Sequence, residues 1–186
     1  MALNATIFKA AVQISDMDRQ YYGDHALTLA RHPSETDERM MVRLLAFVLH
    51  AHETLSFGRG LSTEEEPALW RKDLTGTIDL WIEVGQPEEK TLRRACGRAK
   101  QVYTYTYGGR GADHWWEKHF MTLGRLNNLA VVNLPSETSS ALATLAQPSM
   151  QLECTIQERQ IWMADGVNTV HMALTILKDT SAPFGQ

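Results

Sequence analysis

The sequence is short of cysteine, short of proline and short of positive charge: two Cys and six Pro among 186 residues, with a formal net charge of −4. Each scarcity excludes something. Cys96 and Cys154 are too few for a disulfide framework and too sparse for a zinc site, so buried free thiols in a reducing compartment are expected. The negative balance gives no global pull toward nucleic acid, so a polyanion would have to meet a local basic patch. No apolar run approaches the ~20 residues of a membrane-spanning helix. Met1-Ala2-Leu3-Asn4-Ala5-Thr6 carries no basic segment followed by a long apolar one. A cytoplasmic protein with no membrane attachment is expected. Repeats and low-complexity tracts are also missing.

What remains is ordinary for one soluble domain spanning 1–186, with 44% apolar and 22% charged residues. Alternation predicts strands over 3–15 and 21–30, forming a hairpin around Ser15-Asp16-Met17-Asp18. A helix is predicted from a Ser34 cap to about Glu53, with Met41, Val42, Leu45, Val48 and Leu49 on its apolar stripe and Glu38 at the head of that stripe. Residues 55–75 are mixed, with a short strand at 55–59 and a solvated acidic loop at Glu64-Glu65-Glu66-Pro67. Helices at about 88–101, 111–122 and 136–146 then alternate with strands at 77–85, 102–107 and 129–134. That is the rhythm of a mainly parallel sheet. The C-terminal part reads as an antiparallel meander: one strand carries Met150, Leu152, Cys154 and Ile156, and another carries Val170, Met172, Leu174 and Ile176. The tail Thr180–Gln186 is expected to fray.

The most informative stretch is 76–85. Ile78, Leu80, Ile82 and Val84 alternate with Asp79, Trp81, Glu83 and Gly85, so two carboxylates share one face of a strand apolar enough to be central. Acids placed there are costly unless a metal, a proton or a donor compensates them. With Glu38 they form a set of the kind that collects a hard divalent cation. Asp79 and Glu83 are separated by ~13 Å of extended strand. One ion therefore reaches both only through a bend, a bulge or a bridging water.

Arg31-His32-Pro33-Ser34-Glu35-Thr36 with Glu38-Arg39-Met40-Met41, and Ile78-Asp79-Leu80-Trp81-Ile82-Glu83 with Gly85, resemble segments of the YaeQ family. These are small bacterial proteins of about this length, and the likeness extends over nearly the whole chain. The core of the family is similar to the PD-(D/E)XK nuclease fold, which has a helix bearing an acid, a mixed sheet bearing an Asp and a Glu-x-Lys, and further helices. The resemblance implies an α/β fold of restriction-endonuclease type over about 31–146. An antiparallel β layer from about 3–30 and 149–177 would be added to it. It also implies Mg²⁺- or Mn²⁺-dependent phosphodiester hydrolysis, with Glu38, Asp79 and Glu83 as metal ligands. The motif's lysine is replaced by Gly85; Lys100, on the following predicted helix, is the candidate stand-in, ahead of Lys90. His32 would lie near the site. The cluster Lys90, Arg93, Arg94, Arg98 and Lys100 could meet phosphates. The aromatic groups at 103–107 and 115–116 suit core packing better than base stacking. The alternative is a nuclease-fold module without turnover that binds nucleic acid or a protein partner, with transcription-linked regulation as one form of it.

Overall fold

The computed structural model describes residues 4–59 and 65–180; Glu64 of the acidic run and the tail from Ser181 onward lie outside the described residues. Along the chain run β1 (Thr6–Asp16), β2 (Tyr21–Arg31), α1 (Asp37–Leu49), β3 (Leu55–Phe57), β4 (Leu69–Lys72), β5 (Ile78–Val84), α2 (Glu89–Arg98), β6 (Ala99–Thr106), α3 (Arg110–Leu123), β7 (Leu129–Asn133), α4 (Ser136–Ala143), β8 (Ser149–Gln157), β9 (Gln160–Ala164), β10 (Thr169–Ala173) and β11 (Thr175–Lys178). They form a five-stranded sheet, β10-β9-β8-β1-β2, and a six-stranded sheet, β11-β7-β6-β5-β4-β3.

Four layers result. One core joins the inner face of the first sheet (Phe8, Val12, Leu152, Met163) to α1, α4 and one face of the second sheet (Leu80, Ile82, Tyr105, Val132). A second core packs the other face of the second sheet (Trp81, Val102, Val131) against α2 and α3. The position of α1 follows from its composition. Residues 40–48 hold a single polar side chain, Arg43, and all nine are buried. A helix apolar on every side fits only between two layers. Each fully buried Leu, Met or Val there contributes about 1.5–3 kcal/mol. The helical layer stops at the end of α1, leaving a cavity of about 300 Å³ between the sheets, lined by Tyr103, Tyr105, Ile156 and Ile161 among others.

Several expectations are corrected. Thr36, not Ser34, caps α1 by accepting from the Arg39 N–H at 3.1 Å; the Ser34 hydroxyl bonds His32 instead. α1 ends at Leu49 rather than near Glu53, because Arg19 turns back onto it. The Arg19 guanidinium, held by Asp16 at 2.6 Å, donates to the Val48 and Ala51 carbonyls at the helix end, the first of which also accepts from the Ala51 N–H. β4 was not foreseen, because Leu69-Trp70-Arg71-Lys72 is too short to display alternation. The helix placed at 88–101 gives way at Ala99, so Lys100 lies on β6. The meander is present as β8, β9 and β10, which pair antiparallel in turn, but it does not extend as one antiparallel layer. β8 joins β1 in parallel, and Val170–Ile176 divides into β10 and β11, of which β11 crosses to the second sheet beside β7. The terminal segments therefore contribute to both sheets. Both thiols are free, with Cys154 buried and Cys96 only partly so. Of the acidic loop, Glu65 is exposed, while Glu66 accepts from the Arg59 backbone at 2.9 Å.

Candidate functional site

β5 is irregular at the residue of most interest. Lys72 pairs with Ile78 and Arg71 with Leu80, leaving Asp79 as an extra residue, which is the geometry of a β-bulge. The slip turns Ile78 to the side of Trp81 rather than of Leu80. Asp79 faces Lys100 on the neighbouring strand, Nζ to Oδ1 at 2.7 Å, and this contact holds the ammonium pKa above its ordinary value. Asp73, on the β4–β5 turn, reinforces that shift and Arg71 opposes it. The pair is exposed on the lysine side, so water and salt screen it and it adds little to stability.

Glu83 lies toward the other end of the same strand. Trp81, fully buried, donates its indole N–H to Glu83 at 2.8 Å. Burial raises the Glu83 pKa, while the Trp81 bond and the Arg39 and Arg94 charges act against that rise. The sign follows directly. A carboxyl whose folded pKa is raised contributes stability at low pH and loses it as pH climbs from the ordinary glutamate range through the folded value. Glu83→Gln, which stays neutral, should therefore stabilise the chain at pH 7 and remove that loss. Urea midpoints for both proteins, taken on either side of the glutamate range, test this; a destabilised variant at pH 7 would contradict the assignment.

Glu38 sits in the first turn of α1, where the helix dipole favours an acid. It accepts from the buried Ser139 hydroxyl of α4 at 2.6 Å. The three acids of the sequence reading are thus engaged one by one, Glu38 by Ser139, Asp79 by Lys100 and Glu83 by Trp81. Among the described residues, no three His, Cys, Asp or Glu side chains gather closely enough to hold a metal ion. The residues as placed do not fit the divalent cation that the resemblance implies. Restoring the motif's lysine is also obstructed, since Gly85 has φ +103°, a conformation L residues adopt only under strain. His32, expected near the site, bonds Ser34 in the loop before α1.

The basic cluster is thinned in the same way. Arg93 is paired with Glu89 at 2.7 Å and Lys100 with Asp79. Lys90, Arg94 and Arg98 recur at every fourth residue along the exposed side of α2; Arg98 donates to the Glu65 carbonyl at 3.4 Å, with its guanidinium 5.2 Å above the Trp81 ring. α3 is tied alongside: Thr122 donates to Glu89, and the Trp115 indole to the Pro87 carbonyl, both at 2.9 Å. On α3, Phe120 and Met121 are exposed by 49% and 64%, next to the half-buried Trp116.

Two buried polar groups escaped the sequence reading. Arg43 and Glu35 form a two-pronged pair at 2.7 and 2.8 Å, with Arg39 added at 2.7 Å. The signal for it was the lone charge inside the apolar run 40–48, which requires a partner. His50, at the end of α1, bonds the Tyr105 hydroxyl at 2.6 Å, and burial pushes its pKa down to about 3. No sequence spacing links positions 50 and 105.

The alternating layers define a mixed α/β protein with two mixed sheets and four helices, and no helix among the described residues is long and apolar enough to cross a membrane. The chain belongs to the YaeQ family: the family model described as YaeQ protein matches residues 1–174. YaeQ of Salmonella typhi is 46% identical over 182 residues, covering 97% of this chain and 100% of that protein. YaeQ of Escherichia coli strain K12 is 44% identical over the same length and coverage. The crystal structure of YaeQ protein from Xanthomonas axonopodis pv. citri superposes with a TM-score of 0.91 at 48% identity, covering 94% of this chain and 98% of that one. That of YaeQ protein from Pseudomonas syringae gives 0.90 at 34% identity, covering 96% and 98%.

Proposed function

We propose that the chain is a nuclease-like scaffold that binds single-stranded nucleic acid across α2 and α3 without hydrolysing it. The observation that carries this reading is a basic stripe (Lys90, Arg94, Arg98) on the exposed side of α2, a helix whose Glu89 is tied to Thr122 of α3 near the exposed Phe120 and Met121. Cations that follow a backbone beside rings that accept bases are what sequence-tolerant single-strand binding requires. The separate engagement of Glu38, Asp79 and Glu83 weighs against turnover. Support for the nuclease-like core comes from element order, in which a helix bearing an acid precedes a mixed sheet that helices flank.

A second reading, a Mg²⁺- or Mn²⁺-dependent phosphodiesterase, is favoured by one contact. Lys100, the stand-in for the lysine missing at position 85, does meet a candidate ligand in Asp79. One experiment separates the two. Labelled single- and double-stranded DNA and RNA are incubated with the protein, with and without Mn²⁺, at two salt concentrations. The binding reading expects salt-sensitive retention of single strands, weakened at least tenfold by Lys90→Glu with Arg98→Glu, and no cleavage. Cleavage lost in Asp79→Asn or Glu83→Gln would overturn it in favour of the phosphodiesterase. Failure to retain any nucleic acid would overturn both.

A further inference from the structure

A sheet edge is a row of unpaired N–H and C=O groups, and proteins usually blunt it with short strands, Lys, Pro or bulges. Two of the four edges here are blunted: β3 has 3 residues, and β11 has 4 with a register slip against β7. The third, β10, offers only 5 residues. The fourth is different. β2 runs for 11 residues, and every one pairs in unbroken register with β1. It contains no Pro and no Lys, and its only residues charged at neutral pH are Asp24 and Arg31. At ~3.4 Å per residue it presents about 37 Å of strand. Among the described residues no other strand lies beside it. A single side chain from another element, Arg43, reaches the edge backbone, at the Ala30 carbonyl.

We infer that β2 is a dimerisation edge, and that its occupant is β2 of a second copy of this chain, paired antiparallel about Ala26. The argument for a second copy is self-complementarity. With Ala26 opposite itself, all eleven residues find a partner and the overlap is the longest available. Tyr21 then faces Arg31, Tyr22 faces Ala30, Asp24 faces Thr28, and His25 faces Leu27. No two like charges stand opposite each other, the arrangement that destabilises a strand pair. Sliding the register to centre on Asp24 would set that acid against itself. An isologous contact of this kind closes after two chains, so the edge is consumed rather than propagated into a fibre.

Joining the edges also extends a surface that each chain leaves uncovered. The outer face of the first sheet holds a depression of about 570 Å³, floored by Ala11, Ala26 and Ala164 and bordered by Gln13, Gln151 and Glu153. Because Asp24, His25 and Ala26 belong to its lining, pairing at Ala26 brings two such depressions together across the two-fold axis. This inference does not depend on how the nucleic-acid reading fares, since it uses a different face.

The test is the solution mass together with a self-crosslink. Wild type should run at twice the 21.0 kDa chain mass in light scattering over a wide concentration range. Ala26→Cys should form a reducible dimer under mild oxidant, because opposed residues at Cα separations of about 4.5–5.5 Å are within disulfide reach. Ala26→Lys places two ammonium groups face to face and should give the chain mass, with an unchanged far-ultraviolet spectrum to confirm folding. The inference is overturned if wild type is monomeric throughout, which would leave β2 for a peptide strand from another protein. It is equally overturned if Ala26→Lys remains dimeric, or if Ala26→Cys fails to crosslink while the protein is a dimer.

Discussion

Replacing Glu35 by Ala is expected to lower the free energy of unfolding by about 3–5 kcal/mol, because it strands the Arg43 guanidinium in the core. Both side chains are only 2% exposed, so water cannot take the place of the missing carboxylate. Glu35 accepts from Arg43 Nε and Nη2, while Arg43 also donates to the Ala30 carbonyl at 3.2 Å. The pair thus binds the loop before α1, the helix itself and β2. A loss of that size is a large share of the 5–15 kcal/mol typical of a domain, and at roughly 2–4 °C per kcal/mol it should depress the melting temperature by about 10 °C. Removing both charges is a different matter. Glu35→Ala with Arg43→Met should recover much of the loss, since an apolar replacement leaves no buried charge without a partner. Urea denaturation of the three proteins checks this; a single variant within about 1 kcal/mol of wild type would show that the pair is not what holds the segment.

Acidification should unfold the protein through His50 before most carboxylates matter. Its folded pKa is about 3 against an ordinary 6.5, first because of burial and then because of the Arg19 and Arg71 charges. A depressed pKa means that the folded state favours the neutral ring. The contribution is complete above pH 6.5 and fades as pH falls toward 3, because the unfolded chain takes up the proton first. Across that window the loss is on the order of 5 kcal/mol at 1.36 kcal/mol per unit. His50→Gln, which can still reach Tyr105 but does not titrate there, should flatten the dependence. Glu83 works in the opposite direction at the lower end of the same range, so the informative quantity is the difference between wild type and the His50 variant. Parallel stability curves for the two proteins from pH 7 to pH 4 would refute the assignment.

The elements that the sequence disclosed are those whose pattern is local. The 78–84 strand alternates over seven residues, and the 40–48 run is apolar at eight positions of nine, so both segments were legible as strand and helix. The run was read as one stripe, although a helix with no polar side already implied layers on both sides of it. The caps failed for a short-range reason: Ser34 and Thr36 are equally suited to capping, and His32 claims the first. Lys100 was expected on a helix because Cys96 and Ala99 extend the helical period, yet the chain straightens at Ala99 to pair with Ile78. The grouping of Glu38, Asp79 and Glu83 was a guess about distances between elements. Such distances depend on which faces the layers turn to each other, and an irregularity such as the extra residue at Asp79 leaves no mark in the sequence pattern. The parallel contact between β1 and β8 left no trace at all, since alternation says which face is buried but not which strand is adjacent.

That contact has a consequence for how the protein comes into being. β1 leaves the ribosome first, yet its inner neighbour β8 begins at Ser149, and the second sheet is completed only by β11. Until those residues are synthesised, the strip of β1 that β8 will cover has no strand beside it, and the apolar girdle of α1 lacks the cover that β8 and β9 supply. Contacts between such distant parts of a sequence form slowly, because a long loop must close before they yield anything. Nascent chains stalled after β7 should accordingly be protease-sensitive and drawn to chaperones, with resistance arriving in one step once the final strands clear the exit tunnel.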